Sequence, residues 1–422
     1  MLDTSQQEAV DNISKLSSRV YVLTGAGGSG KTYTIQHLLE KLWADEGNDI
    51  TNETTYLAAP TGKAAKIIND AFKLAEFEID NPAKTIHRLL QYNPGMGWGY
   101  NKENKLDATL VILDEASMTD SLLLSRVIDA LPDDCVLLLV GDKNQLAPVA
   151  AGQPFTDLVT LGAGDVVNEL KTNHRQAQGS LIAHACLSIL EGKKPTWGVK
   201  GENTLGGELQ DDLFFIEEPE KEEIPLIVLD LVREWDENGA DYVVLAPQRT
   251  GVCGVDAMNK FLQSMLNPPM IDKPEIKVAW LTLRVGDKVL QTKNNYELDI
   301  FNGFTGVVLS IDTVAGVVVV DFDGQIVNYE KTEHIQQLTL GYCMTVHKSQ
   351  GSQFKYGVLV CHSSHYFMWS RSLLYTGVSR FRQELYVVGD NKAVKRGLSN
   401  VVSGDRNTHL KLVMTAPAVE GF

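Results

Sequence analysis

The stretch YVLTGAGGSGKTYTI, Tyr21–Ile35, sets a hydrophobic run against four glycines and then Lys31 and Thr32. Glycine inside an element costs roughly 0.5–1 kcal/mol relative to alanine, so such a density between a strand and a helix needs a reason. The spacing supplies one. Gly25, four residues, then Gly30-Lys31-Thr32 follow the pattern G-x-x-x-x-G-K-[ST]. In such a loop the backbone N–H groups, here from Gly25 through Gly27, Gly28, Ser29 and Gly30, turn inward on an anion. The N-terminus of the following helix adds partial positive charge. Lys31 would then reach the β- and γ-phosphates of a nucleoside triphosphate, and the Thr32 hydroxyl would hold Mg²⁺. The flanks agree: VYVLTG reads as a buried strand, and TYTIQHLLEKLWA as a helix with apolar residues at i, i+3 and i+4.

Two further strand ends fit the same chemistry. LVILDEASM, Leu110–Met118, closes an apolar run on two acids. Nucleotide hydrolysis needs one carboxylate for Mg²⁺ and another to orient or deprotonate the attacking water, tasks that suit Asp114 and Glu115 in turn. LVGDKNQLAPV, Leu139–Val149, is a third strand ending in polar groups. Ligands bind outside the carboxyl ends of such strands, so Gln145 would touch the γ-phosphate and report its loss.

With 422 residues the chain has room for roughly three domains. No run of 18 or more apolar residues appears, and MLDTSQQEAV lacks the basic start and apolar core of a signal peptide, so a soluble cytoplasmic protein is expected, with no membrane partner. Five scattered cysteines with no C-x-x-C pair read as reduced packing residues. The net charge of −16 argues against a polyanionic partner only until it is located. Between Asp211 and Glu237 eleven acids face only Lys221 and Arg233, which reads as a solvated helical face away from any polyanion.

Along the chain, strands at Val20–Thr24, Thr55–Ala59, Thr109–Asp114 and Cys135–Gly141 alternate with helical stretches, the pattern of a covered parallel sheet. A second α/β pattern starts near Phe155, includes DYVVLAP and YGVLVCH, and closes with ELYVVGD. Between Leu281 and Leu340 short β-rich runs separated by Gly and Asp turns suggest a small inserted barrel. The expected α/β architecture is therefore two parallel-sheet domains, 1–153 and 154–280 with 339–422. A small β-barrel at 281–338 interrupts the second, and a hairpin near 91–108 interrupts the first. The tail after Gly397 is weakly patterned and is expected to fray.

At this point the sequence resembles the superfamily 1 (1B) helicases of the RecD/Dda type, in order and over nearly its whole length, which implies that the two parallel-sheet domains are RecA-like and the inserted β-barrel SH3-like. SQQEAV looks like the glutamine motif that reads adenine, implying Gln6. LAAPTGKAAKII and AKTIHRLL look like motifs Ia and Ib, and MTVHKSQGSQF like motif V. These imply a single-strand track over Pro60, Thr61 and Lys63, Thr85 and His87, and Thr345, His347 and Lys348. Taken singly, either histidine reads as a satisfied structural residue. As two Thr-x-His triplets, each beside a basic residue, they read as strand contacts. ELKTNHRQ and LLYTGVSRFRQELYVVG are similar to motifs IV and VI, implying Arg175 and Arg380 as cations that neutralise charge on the γ-phosphoryl group. Such arginines are worth up to about 10³–10⁵ in rate.

The resemblance implies an ATP- and Mg²⁺-dependent motor on single-stranded and forked duplex DNA, running 5′→3′, monomeric, and serving replication, recombination or repair. Single-strand-binding or replication proteins are the further partners it allows. QYNPGMGWGYNKENKLDA, with Trp98 and Tyr100, is expected to be a protruding hairpin that wedges the fork, aromatic faces stacking on bases. The bland reading folds those aromatics back onto the domain. Two positions depart from the family pattern: Gln353 stands where motif V usually has an acid, and Lys171-Thr172 where motif IV usually has Thr-Glu. Neither removes a phosphate contact, so they bear on DNA coupling. No nuclease or relaxase domain is expected ahead of Gln6. An RNA-directed or protein-displacing translocase of the same family stays open. So does a nucleotide-switched binding protein, although such a switch has no need of motifs Ia, Ib and V.

Overall fold

The computed structural model describes residues 1–162, 164–172, 174, 179–199 and 211–401. They form two compact units that divide between Ala177 and Gln178.

In the first unit the phosphate-loop strand β1 (Val20–Gly25) lies inside a six-stranded sheet with β2 (Thr55–Ala59) and β3 (Lys84–Thr85), and with three strands beyond the hairpin. The hairpin is β4 (Tyr92–Asn93) with β5 (Gly97–Trp98), and the later strands are β6 (Leu110–Leu113), β7 (Val136–Gly141) and β8 (Val167–Leu170). The order is β3-β2-β6-β7-β1-β8, with every pairing parallel. Successive strand residues serve opposite faces: Tyr21 and Leu23 join a core with Val10, Leu38, Ile68 and Phe72, whereas Val22 joins one with Ile86, Leu113, Val127 and Phe155. Burial on both faces is why these strands read as unbroken apolar runs.

Helices α1 (Thr4–Ile13), α2 (Lys31–Trp43), α3 (Gly62–Leu74), α4 (Ile86–Leu89), α5 (Ser121–Ala130) and α6 (Pro154–Leu161) complete the unit. The expected boundary at 153 falls short of this division, because β8 belongs to the first sheet and α6 packs on it through Phe155. β8 pairs with β1 at the sheet edge through the short sequence VNEL, only half of it buried, and so carries little apolar signal.

The second unit holds a five-stranded parallel sheet of β9 (Leu213–Glu217), β10 (Tyr242–Ala246), β18 (Cys343–Thr345), β19 (Phe354–Cys361) and β20 (Phe381–Gly389), in the order β18-β10-β19-β20-β9. Its helices are α7 (Leu181–Leu190), α8 (Ile224–Glu237), α9 (Val255–Leu266), α10 (Thr332–Ile335), α11 (Arg371–Val378) and α12 (Asn391–Ser399). The acidic segment is only in part a helical face: Asp230, Glu234, Asp236 and Glu237 lie on α8, whereas the other acids sit on β9 or in the stretches flanking it. Asp212 is buried and accepts from Ser180 Oγ at 2.6 Å and Ile182 N at 3.0 Å, holding the start of α7.

Between β10 and β18 the chain inserts a hairpin, β11 (Glu275–Val278) with β12 (Leu281–Arg284). A five-stranded antiparallel sheet follows, in the order β16-β15-β14-β13-β17: β13 (Lys288–Gln291), β14 (Thr305–Asp312), β15 (Val317–Phe322), β16 (Gln325–Tyr329) and β17 (Leu338–Leu340). A register shift between Val308 and Ser310 lets β14 bend. One fully buried carboxylate fastens this insertion to the sheet. Asp287 accepts from Gln263 Nε2 (2.6 Å), Asn267 Nδ2 (2.7 Å), Arg284 N (2.7 Å) and Tyr342 Oη (3.0 Å).

All five cysteines are buried and unbridged, and burial pushes the Cys135 thiol up to about 12 and the Cys253 thiol up to about 11. They behave as packing residues. Among the described residues no helix is long and apolar enough to cross a membrane. The expected fraying of the tail falls mostly outside the described residues, although Gly397 itself lies within α12.

Candidate functional site

The phosphate-loop sequence forms the turn it predicts. Gly28 and Gly30 adopt left-handed φ values of +88° and +79°. A Cβ on Gly25 would sit 2.5 Å from Ser29 Oγ, and one on Gly30 would sit 2.5 Å from Gln6 Nε2. Neither position tolerates a side chain. Lys31 Nζ donates to Gly25 O at 2.8 Å and Ala26 O at 3.2 Å, so the ammonium lies folded over its own loop. No side chain caps α2, which leaves its first backbone N–H groups for an anion.

Among the described residues, the buried polar atoms with no hydrogen-bond partner include Ser29 Oγ, Glu115 Oε2 and Gln145 Oε1. They follow β1, β6 and β7, which are neighbours in the sheet, and all three leave its carboxyl edge. A buried unsatisfied polar atom costs about 1–3 kcal/mol, and three on one edge mark a place built for a polar ligand. Glu115 also holds φ +51° and ψ +35°, a left-handed conformation that costs a non-glycine residue on the order of 1–3 kcal/mol. Asp114 accepts from Glu115 N at 2.8 Å. Desolvation, and then the Glu115 carboxylate, push the Asp114 carboxyl up to about 6, while the Lys31 ammonium pulls it down. Two adjacent acids short of positive charge fit a divalent cation. With the Thr32 hydroxyl they supply few protein ligands, as Mg²⁺ accepts when phosphate oxygens and waters complete its shell.

Gln6 is buried beside the loop with both amide atoms engaged. Its Oε1 accepts from Asp3 N at 3.0 Å, completing a capping box on α1, and its Nε2 donates to Ser29 O at 3.0 Å. Its Nε2 also lies 3.1 Å from His174 Nε2, which in turn lies 3.0 Å from Asp3 Oδ2. His174 N donates to Gly28 O at 3.3 Å. Sequence reasoning missed His174, whose only signal was its place beside Arg175. Arg175 itself lies outside the described residues. Arg380, in the second unit, is buried and donates to Thr376 O (3.2 Å), Ser352 O (3.3 Å) and Ser379 Oγ (3.1 Å).

The three threonines expected on a strand track share a local duty. Thr61 accepts from Ala64 N at 3.2 Å and caps α3, Thr85 accepts from Arg88 N at 3.2 Å and caps α4, and Thr345 accepts from Lys348 N at 3.2 Å. Pro60 and Lys63 are half-buried beside the first of these turns. Burial lowers the His87 and His347 imidazoles, with Asp120 opposing at His87. Gln353 accepts from Arg382 Nε within its own unit.

The hairpin is present, paired Tyr92 to Trp98 and Asn93 to Gly97, but its aromatics are not free. Trp98 and Tyr100 are half-buried and pack on the core with Leu113 and Val127. The Trp98 ring centroid lies 4.5 Å from Tyr92 and 5.3 Å from His87. The exposed tip is Pro94–Met96, with Met96 86% exposed. The bland reading of the aromatics is the one observed, because the three turn residues Pro94–Met96 let the second strand fold straight back.

Comparison with known proteins meets this geometry from the other side. Residues 1–203 match an AAA domain, 258–322 the ATP-dependent RecD-like DNA helicase SH3 domain, and 340–388 the UvrD-like helicase C-terminal domain. The chain is 35% identical over 395 residues to the ATP-dependent RecD2 DNA helicase of Deinococcus radiodurans, covering 93% of this chain and 50% of that protein. It is 31% identical over 414 residues to the RecBCD enzyme subunit RecD of Mycobacterium tuberculosis, covering 91% and 69%. The chain thus spans half the length of the first relative. A Pif1 helicase from Bacteroides, solved with ADP-AlF3 and ssDNA, shares the fold at TM-score 0.56 and 20% identity, over 98% of this chain and 96% of that one. With this coverage of a RecD subunit, a matching helicase C-terminal domain and a RecD-like SH3 insertion, the chain belongs to the RecD-type family of superfamily 1 helicases.

Proposed function

We propose that this chain is an ATP- and Mg²⁺-dependent DNA helicase motor that tracks along single-stranded DNA, 5′→3′, and separates duplex at a fork. The observation that carries the reading is the row of unpartnered groups Ser29 Oγ, Glu115 Oε2 and Gln145 Oε1 on one sheet edge beside Lys31. In this reading the loop N–H groups and Lys31 bind the phosphates, Thr32 and Asp114 hold the metal, and Glu115 takes the proton of the attacking water. Gln145 registers the γ-phosphate. Mg²⁺, when bound, neutralises phosphate charge. Arg175 and Arg380 are assigned to the developing γ-phosphoryl charge by the motifs that contain them. Gln6 ties α1 to the loop, and reading adenine would require its amide to exchange a partner. A DNA strand is assigned to Pro60, Thr61, Lys63, Thr85, His87, Thr345, His347 and Lys348. The proposal takes the chain as a monomer acting inside the cell.

The test is ATP hydrolysis with and without oligo-dT, joined to unwinding of forked duplexes bearing a 5′ or a 3′ tail. Stimulation by oligo-dT with unwinding from the 5′ tail is expected. Unstimulated turnover would favour a nucleotide-switched binder, stimulation by RNA alone an RNA motor, and unwinding from the 3′ tail the opposite polarity.

The hairpin adds a sharper expectation. Trp98→Ala removes the ring that steadies His87, so it should lower oligo-dT-stimulated hydrolysis and unwinding together, each about 2- to 10-fold. Met96→Ala, at the tip, should slow unwinding alone. Both rates measured on the same preparations decide it. A Trp98 variant that loses only unwinding would return the wedge to the indole.

A further inference from the structure

The second unit carries a basic pocket of about 820 Å³ that none of the motifs above uses. α12 lines it with Lys392, Lys395 and Arg396, the loop after α7 with Lys194, and the 3-10 turn Ser363–Met368 with Tyr366. Arg371 builds the floor: its guanidinium donates to Leu398 O and Leu190 O, pinning α12 to α7. Among the described residues no carboxylate is ion-paired with Lys194, Lys392, Lys395 or Arg396. The one acid in the lining, Glu191, is held by Lys193 at 2.7 Å.

Four cations without a counter-charge among the described residues stand out on a chain of net charge −16. Helix electrostatics explain only part of them, since Arg396 lies in the last turn of α12, where the dipole favours a cation. Lys392 sits in the first turn of α12, where the helix dipole disfavours a cation, and like charges three or four residues apart repel. Two of them, Lys392 and Arg396, are nonetheless held against one ring. The Tyr366 ring lies 5.6 Å from Lys392 Nζ and 5.1 Å from Arg396 Cζ, and Arg396 Nε is buried without a hydrogen-bond partner. Beside them Phe367 is 92% exposed.

Topology gives the pocket a neighbour. All strands of this sheet run parallel, so the turns after β18, β10, β19 and β20 leave one edge in that spatial order. β18 ends on Thr345 and the turn after it carries His347 and Lys348, and that after β10 carries Arg249. The turn after β19 carries Tyr366 and Phe367, and β20 leads into α12. His365 Nε2 lies 3.3 Å from Thr250 O and links the second turn to the third. Three strand spacings are roughly 14 Å, the reach of a few nucleotides.

We propose that this pocket is an auxiliary single-stranded DNA site. It extends the path assigned to Thr345, His347 and Lys348, with Phe367 stacking on a base and Lys194, Lys392, Lys395 and Arg396 meeting phosphates. A positive groove with an exposed aromatic is how a strand is held without regard to sequence. The inference rests on the DNA-motor reading, and its test separates the two.

Binding of short and long oligo-dT to the full chain is measured by fluorescence anisotropy across a range of salt. Phe367→Ala should weaken long oligo-dT by about 5- to 150-fold. The double variant Lys392→Gln/Lys395→Gln should reduce the slope of log K against log salt by about 1.4 for the long oligomer. Short oligomers and DNA-free ATP hydrolysis should not change. Wild-type affinity with unchanged salt slope in both variants overturns the auxiliary site alone, as does equal loss on short and long oligomers or loss confined to duplex DNA. A wild-type chain that binds no single strand overturns the motor reading with it.

Discussion

Lys31→Ala is expected to lower ATP turnover by about 10³-fold while the circular dichroism spectrum stays that of the parent chain. The ammonium donates to Gly25 O and Ala26 O of its own loop, so the fold loses two part-buried bonds to a single turn. With a nucleotide in the loop the same ammonium is the charge nearest the β- and γ-phosphates, and its loss falls on binding and on the transition state together. Turnover within about tenfold of the parent would reject the phosphate-loop assignment. An unfolded spectrum would show that the lysine holds the loop by its carbonyl bonds instead.

Glu115→Gln is expected to lower kcat by about 10²–10⁴-fold with little change in KM for ATP. Glutamine keeps the volume, the backbone strain and the turn into the 3-10 segment, and removes only the capacity to take a proton. The Asp114 carboxyl should fall as well, because the Glu115 charge is the second cause of its upward shift. Mg²⁺ affinity should therefore hold or strengthen as hydrolysis fails. That split between kcat and metal affinity is the measurement that matters. If Mg²⁺ affinity falls in step with kcat, Glu115 is a metal ligand and another group activates the water.

Much of this site was legible because its signals are local. A glycine needed at a left-handed turn, a lysine one residue into a helix and an acid pair at a strand end follow from backbone geometry within a few positions. What escaped depends on contacts across the chain. Gln6 could be placed by its motif, but not the bond from its amide to Ser29 O, made 23 residues away. Thr61, Thr85 and Thr345 look like strand contacts and also cap turns, since a hydroxyl at the start of a helix serves its own backbone first. Trp98 was legible as an aromatic in a hairpin, but its direction was set by Tyr92 and His87. β8 escaped because an edge strand needs only half the apolar residues of a central one.

The Asp287 hub has a practical consequence for chimaeras. Its carboxylate sits at the threshold of the inserted barrel, yet three of its donors, from Gln263, Asn267 and Tyr342, belong to the flanking α9, its C-terminal end and the approach to β18. A graft that exchanges the barrel for a relative's, cut after Arg284, carries this acid away unless the incoming module restores it at the same place. The recipient would then keep an amide pair and a phenol with no common acceptor, and would unfold from that seam outward.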